Sequence, residues 1–337
     1  MNNEPLQTIP RHVAESSHWY RPVGPSVWSC EPVYEVPVAE SWFLNRGKDD
    51  LYNLMVDNGF DADEDNWAVV GMWGESWQTF KKHFSVTQKR FASDWLMKNA
   101  NVTRPPTITD AREHGWLPGW SSVASMIRKP GLERWKLGEM FEAAATCPRL
   151  PDESDKEYTD KVWREAEAKA REAADRGTRL HAAIQSDLLG ERPTLNDEIE
   201  AGFEAYKKWA RDHHVQPLRV EAPFANREFG IGGKIDLVAQ VRIGDCAMDC
   251  VVDFKTQGTK GSGKIKFYPE WCNQLMAYRD GAQLTNHCVV SVGISTDEPG
   301  LLRMQPWTAH EMNRAEKMVK LMIQLWQLDN DYYPHGA

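Results

Sequence analysis

Several things are missing from this chain, and each absence narrows what it can be. No apolar run approaches the roughly 18–20 residues that a membrane-crossing helix needs. The opening stretch, MNNEPLQTIPRHVAESSHWYRP, has none of the apolar character of a secretion signal. A cytoplasmic protein without membrane association is therefore expected. Cysteine is scattered (Cys30, Cys147, Cys246, Cys250, Cys272, Cys288) and forms no CxxC pair. The four-residue spacing of Cys246 and Cys250 is weak ground for a metal site, and reduced, partly buried cysteines are expected. No GxxxxGK[ST] phosphate-binding loop is present, so ATP-driven unwinding is not expected in this chain and no ATP is expected as cofactor. Positive charge is in deficit: 40 Lys and Arg stand against 49 Asp and Glu, a net charge of −9. That excludes a protein coated in positive charge for passive nucleic-acid binding, though not an enzyme with a local basic groove. There is no internal repeat and no low-complexity tract.

What is present is ordinary globular composition, 41% hydrophobic and 26% charged, in 337 residues, enough for one large domain or two modest ones. Residues 1–110 are rich in Trp, Pro and acids and read as a mostly helical accessory region of open role. Within it, 57–66 (DNGFDADEDN) reads as a solvated loop and 77–100 as a helix, from the spacing of Trp77, Phe80, Phe84, Phe91 and Trp95. The second domain is expected over 111–337. A short helix, a break at Pro130 and a second helix are followed by a long charged helix over roughly 153–189. Another helix spans about 196–213, with Ile199, Phe203, Tyr206 and Ala210 on one stripe. The period then changes. Strands are expected at 219–225, 234–241 and 250–256, linked by glycine-containing turns, then a helix at 269–284 and strands at 287–295 and 301–307. Thr308 and Glu311 form a capping box opening a last helix to about 328. The fold class is α/β, of the mixed α+β kind: a central mixed sheet flanked by helices, not an alternating barrel.

The chemistry concentrates in GGKIDLVAQVRIGDCAMDCVVDFKTQG, residues 232–258. Asp236 and Asp253 are acids on strands, and burying such charge costs several kcal/mol per ion unless it is paired or metal-bound. If the strands pair through a turn near Ile243-Gly244-Asp245, the two acids meet at one end of the sheet, a set that suits Mg²⁺. The glycines before Asp236 read as a turn delivering it. Lys255, two residues past Asp253, shares its strand face. On spacing alone, a buried Asp–Lys ion pair and a metal site are evenly matched. Gly177 and His181 lie four apart on one helix face, so that a backbone or phosphate can approach beside the imidazole. Gln274 and Tyr278 do likewise on a later helix. Each pair alone reads as structural. Glu221 is a third strand acid, facing either the site or a basic residue.

In this order, G-x-x-x-H on a helix, an acid on a strand, D-x-K on the next strand and Q-x-x-x-Y on a helix, the pattern resembles the PD-(D/E)xK nuclease superfamily, in its RecB-like and phage-exonuclease branch. The resemblance covers about 175–285 and the flanking helices, and LPGWSSVASMIRKPGLERWK (117–136) is similar to a helical segment of phage-type members. It implies a restriction-endonuclease-like core and a Mg²⁺-dependent DNA exonuclease, with Mn²⁺ as substitute. Asp236, Asp253 and the backbone carbonyl of Phe254 would hold the metal, with His181 as a further ligand. Lys255 would position or activate the attacking water, and Gln274 and Tyr278 would hold Lys255 or the DNA backbone. Gly177 and Glu221 are supporting residues. The third-motif acid is Asp where Glu is commoner. The cysteines that ligate an iron–sulfur cluster in some relatives are absent, so no cluster is expected.

The segment after the D-x-K, TQGTKGSGKIKFY (256–268), carries Lys260, Lys264 and Lys266 among three glycines with no acid. It reads as a flexible basic loop gripping DNA phosphates, or as a mobile surface loop. Tyr268 and Trp271 are placed either to stack on unpaired bases or to build core. The expected partner is DNA, as linear duplex or single-stranded ends. The resemblance adds a strand-annealing recombination protein as partner and a homo-oligomer as one known solution. Two alternatives stay open: a flap- or nick-cutting endonuclease of the same superfamily, and a degenerate nuclease fold serving as a DNA-binding module.

Overall fold

The computed structural model describes residues 19–46, 48–58, 86–100, 102–259 and 261–334. They form two compact units, one of residues up to Pro32 together with Thr109 onward, the other of Val33–Ile108. The region expected as one accessory piece thus contributes to both. Its first strands, β1 (Trp19–Pro22) and β2 (Cys30–Val33), are followed by β3 (Val36–Pro37), α1 (Glu40–Leu44), α2 (Lys48–Asp57), α3 (Val86–Asn99) and β4 (Thr103–Arg104). In the smaller unit β3 pairs with β4, and α1–α3 close around Phe43, Leu51, Met55, Ala92 and Leu96. The helix expected over 77–100 is seen as α3. Its earlier part and most of the acidic tract lie outside the described residues.

The larger unit continues with α4 (Ile108–His114), β5 (Leu117–Pro118), α5 (Trp120–Ala124), α6 (Pro130–Thr146), α7 (Asp155–Leu188) and α8 (Glu200–Asp212). Then come β6 (Gln216–Asn226), β7 (Ile231–Ile243), β8 (Cys246–Gln257), α9 (Pro269–Gly281), β9 (Cys288–Ser295), β10 (Leu302–Pro306) and α10 (Ala309–Asp329). A small sheet has the order β2-β1-β5, and the main sheet the order β10-β9-β8-β7-β6. Strands β6, β7 and β8 form an antiparallel meander, and the β7–β8 turn is Gly244-Asp245, with Gly244 at φ +59°. After β8 the chain crosses through α9 and returns as β9, parallel to β8, so the sheet is mixed as expected.

Two helices show how sequence becomes layer. Ser154 caps α7 by accepting from the Glu157 amide, and Pro130 opens α6 at its first turn, where a missing N–H costs nothing. The first half of α7 packs Val162 and Ala166 against Ala143 of α6. Its second half packs Leu180, Ala183 and Ile184 into the main core, where Phe203, Tyr206 and Trp209 of α8 cover Leu237, Ala239, Val252, Val292 and Ile294 of the sheet. On the sheet's other face lies α9, backed by α10. Among the described residues no helix is long and apolar enough to cross a membrane.

Candidate active site

The site sits where the sheet forks. The β7–β8 ladder runs from Ile243↔Cys246 to Leu237↔Val252 and stops there. Beyond that point β8 stays with β9 (Asp253↔Ser291 to Gln257↔Ser295), whereas β7 stays with β6 as far as Ile231↔Asn226. Asp236 and Asp253 are the first residues past the last ladder pair. Strand separation frees the Phe254 N–H from the ladder, and Asp236 Oδ2 accepts it at 2.9 Å. The carboxylate therefore replaces a lost backbone partner at the mouth of the fork.

Asp253 is the node. It is 1% exposed, and Lys255 Nζ lies 2.9 Å from its Oδ1 and 2.7 Å from its Oδ2. Gln274 Nε2 donates to Oδ1 at 3.1 Å and to the Tyr278 hydroxyl at 3.0 Å. Oδ2 is buried and, although close to Nζ, has no partner in hydrogen-bonding direction. Burial pushes the Asp253 carboxyl up to about 6, opposed by the Lys255 ammonium and reinforced by the charge of Asp236. Burial also holds the Tyr278 phenol well above its ordinary range, so it stays neutral. The helix that carries Gln274 and Tyr278 thus meets the strand that carries the D-x-K, and the two side chains share one helix face as their four-residue spacing predicts.

The remaining expected residues arrange around this node. His181 Nδ1 is 3.7 Å from Asp236 Oδ2, and its ring meets Phe254 edge-on at 6.3 Å. Apart from this contact with His181, the Phe254 ring is buried in the core against Tyr206 and Trp209, so any polar group this residue offers the site comes from its backbone. The neighbour that Gly177 makes room for is a side chain: a Cβ there would lie 2.9 Å from Thr256 Oγ1. Its absence lets α7 seat His181 over β8. Glu221 faces a basic residue, Lys234, with Nζ–Oε2 at 2.5 Å. Its backbone takes φ +46°, a conformation that costs a non-glycine residue on the order of 1–3 kcal/mol.

The glycines before Asp236 are not a turn. Gly232 and Gly233 lie inside β7, and the turn is at Gly230, φ +81°. A Cβ at Gly232 would fall 2.5 Å from Tyr20, and one at Gly233 2.7 Å from Phe224 and 2.9 Å from Tyr278. Packed rings, not chain reversal, exclude larger residues here.

His181, Glu221, Lys234, Asp236, Asp253, Lys255, Gln274 and Tyr278 line a single cleft of about 1650 Å³, bounded by α5, α6, α7, α9 and α10. That exceeds the usual 300–1,000 Å³ of small-molecule pockets. The lining holds nine Lys and Arg against six acids, the reverse of the whole chain's balance. Lys264, Lys266 and Tyr268 are in it, with Tyr268 against Trp271 at 5.4 Å; Lys260 lies outside the described residues. The basic loop is strapped, not loose. Gln257 donates to the Lys266 carbonyl (2.9 Å) and accepts from its N–H (3.1 Å). Thr259 N–H donates to Asp297 (2.8 Å) and Gly263 N–H to Glu298 (3.0 Å), while Ile265 fills the space a Cβ of Gly293 would take. Sequence reasoning missed Gln257, Asp297, Glu298 and Lys234. Only for Lys234, which stands two residues before Asp236, is there a signal in the sequence.

These residues fit a hard divalent cation. Two carboxylates converge at the fork, one with a buried oxygen lacking a directed hydrogen bond, in a site where burial disfavours uncompensated negative charge. Among the described residues no three His, Cys, Asp or Glu side chains form a closed cage. Mg²⁺ does not need one, since it keeps several waters and takes one or two carboxylates.

A family model described as the PD-(D/E)XK nuclease superfamily matches residues 132–330, more than half of the chain. A search of curated proteins finds no match. The matched segment runs from α6 to α10 and contains the whole fork, His181, Asp236, Asp253, Lys255, Gln274 and Tyr278 included. With its mixed five-stranded sheet, its forked strands and its D-x-K set around a buried carboxylate, the chain belongs to the PD-(D/E)XK nuclease superfamily.

Proposed function

We propose that the protein is a Mg²⁺-dependent DNA exonuclease of the RecB-like and phage-type branch, acting in recombination, replication or repair. The observation that carries the reading is the Asp253 node: one buried carboxylate held by Lys255 and by Gln274, with Asp236 beside it and His181 behind. Asp236 and Asp253, with the Phe254 carbonyl and His181, would hold the divalent cation. When bound, the cation would make a water nucleophilic at neutral pH and offset charge on the phosphoryl oxygens.

The chain's own residues supply the rest. Lys255, fixed against Asp253 and lining the cleft, would orient the attacking water or stabilise charge growing on phosphorus. Gln274 ties Asp253 to the neutral Tyr278 hydroxyl, so the carboxylate does not turn when the ammonium moves toward substrate. Hydrolysis forms one bond from water oxygen to phosphorus and breaks the bond to the leaving 3′-oxygen. Lys264 and Lys266, on their strapped loop, contact flanking phosphates.

The test uses end-labelled linear DNA and covalently closed circular DNA with Mg²⁺. An exonuclease degrades the first and spares the second. Cleavage of the closed circle would replace this reading with an endonuclease. Equal degradation of linear DNA by wild type and Lys255→Ala would overturn the catalytic assignment.

A further inference from the structure

The β6–β7 ladder breaks beside the fork. Val220↔Leu237 and Ala222↔Ile235 pair in register, and the pair between them, Glu221 opposite Asp236, is missing. At that gap Glu221 takes the left-handed backbone, φ +46°, which a side chain of its type rarely adopts. Strain of this kind persists only where the surroundings enforce it, and it collects at functional sites. Its result here is specific. The Glu221 carboxylate, 15% exposed, reaches Lys234 Nζ at 2.5 Å, and both residues line the catalytic cleft. Lys255 is held by Asp253 on one side of the fork, and Lys234 is held by Glu221 on the other.

We infer that Lys234 is a phosphate-binding residue of the cleft and that Glu221 is its positioning residue. Lys234 contacts a backbone phosphate next to the scissile one, on the β6–β7 side of the fork. The inference rests on the nuclease reading above. An exposed lysine gives up rotamer freedom when it grips a phosphate, whereas one already tethered at 2.5 Å has given most of it up beforehand. The Glu221–Lys234 pair keeps a charge in the cleft without leaving either partner buried alone.

The experiment is equilibrium binding of a fluorescent DNA oligonucleotide to the full chain in EDTA, across a salt series, alongside steady-state cleavage in Mg²⁺. Lys234→Met is expected to weaken binding roughly tenfold and to reduce the salt slope by about one counterion. Lys234→Arg, which keeps the charge, should retain the slope. Glu221→Gln should weaken binding too, because Lys234 loses its tether, but should not weaken it further in the Lys234→Met background, where it only removes the carboxylate that Lys234→Met leaves unpaired. In cleavage, KM should rise more than kcat falls. Unchanged affinity and slope in folded Lys234→Met, in a protein that still cuts DNA, would overturn this inference alone. So would a slope lost equally in Lys234→Arg. A wild-type protein that neither binds nor cuts DNA would overturn both this inference and the nuclease reading.

Discussion

Replacing Asp253 by Asn should make the protein more stable when no divalent metal is present, and inactive. The carboxyl is 1% exposed and burial lifts it from 3.8 to about 6. A rise of about two units corresponds to about 3 kcal/mol of preference for the neutral form. Because the folded state binds this proton more tightly than the unfolded chain, the contribution has a definite sign. Stability falls as pH rises from about 4 to about 6, and the full cost is present above that. Asn removes the charge while keeping an oxygen for Gln274. It forfeits the Lys255 ion pair, but Lys255 is one-quarter exposed and water takes over part of that role. A net gain of about 1–3 kcal/mol at pH 7.5 in EDTA is expected, or several degrees in melting temperature. The assay is thermal and urea unfolding of both proteins in EDTA at pH 7.5 and pH 4.5. The gap should shrink at the lower pH, and Mg²⁺ should raise the wild type more than the variant, since the cation favours the ionised carboxylate. A variant no more stable than wild type at pH 7.5, or a gap indifferent to pH, would refute the account of Asp253 as a charge held at a cost for function.

Other consequences follow from contacts already described. Lys255→Ala should retain the fold by circular dichroism and lose on the order of 10²–10³-fold in cleavage rate, the usual scale for removing one charge-stabilising donor. Gly177→Ala drives a Cβ to 2.9 Å from Thr256 Oγ1 and should cost about 1–3 kcal/mol in urea unfolding, with Thr256→Ala in the same chain restoring most of it. Gly233→Ala collides with two packed rings, Phe224 and Tyr278, which have no such escape, so it should destabilise at least as much and lower kcat by shifting Tyr278. Gln257→Ala unties the loop at Lys266, so the salt dependence of DNA binding should weaken and KM rise while kcat stays close to wild type.

Much of this architecture is legible from one-dimensional pattern, because local physics writes it there. The strand runs, the Gly244-Asp245 turn, Pro130 at the start of α6 and the Thr308–Glu311 box all depend on neighbours within a few residues. The D-x-K and Q-x-x-x-Y pairs are legible for the same reason, since strand and helix periods place their members together. The ordered set of motifs then identifies the family. What pattern does not carry is anything decided by residues far apart in the chain. Gly232 and Gly233 sit beside Asp236 as a turn would, yet they are strand residues opened for the rings of Tyr20, Phe224 and Tyr278. The basic loop looks free because its straps, Asp297 and Glu298, come some forty residues later. Glu221 looks like a third acid of the site because nothing local reveals its left-handed backbone or its grip on Lys234. Sequence alone determined which residues carry charge, where the elements run and which chemistry the motifs permit. Tertiary structure decided which carboxylate is buried, where the strands part and which cations face the cleft, because burial and close approach are properties of the packed chain and of no segment within it.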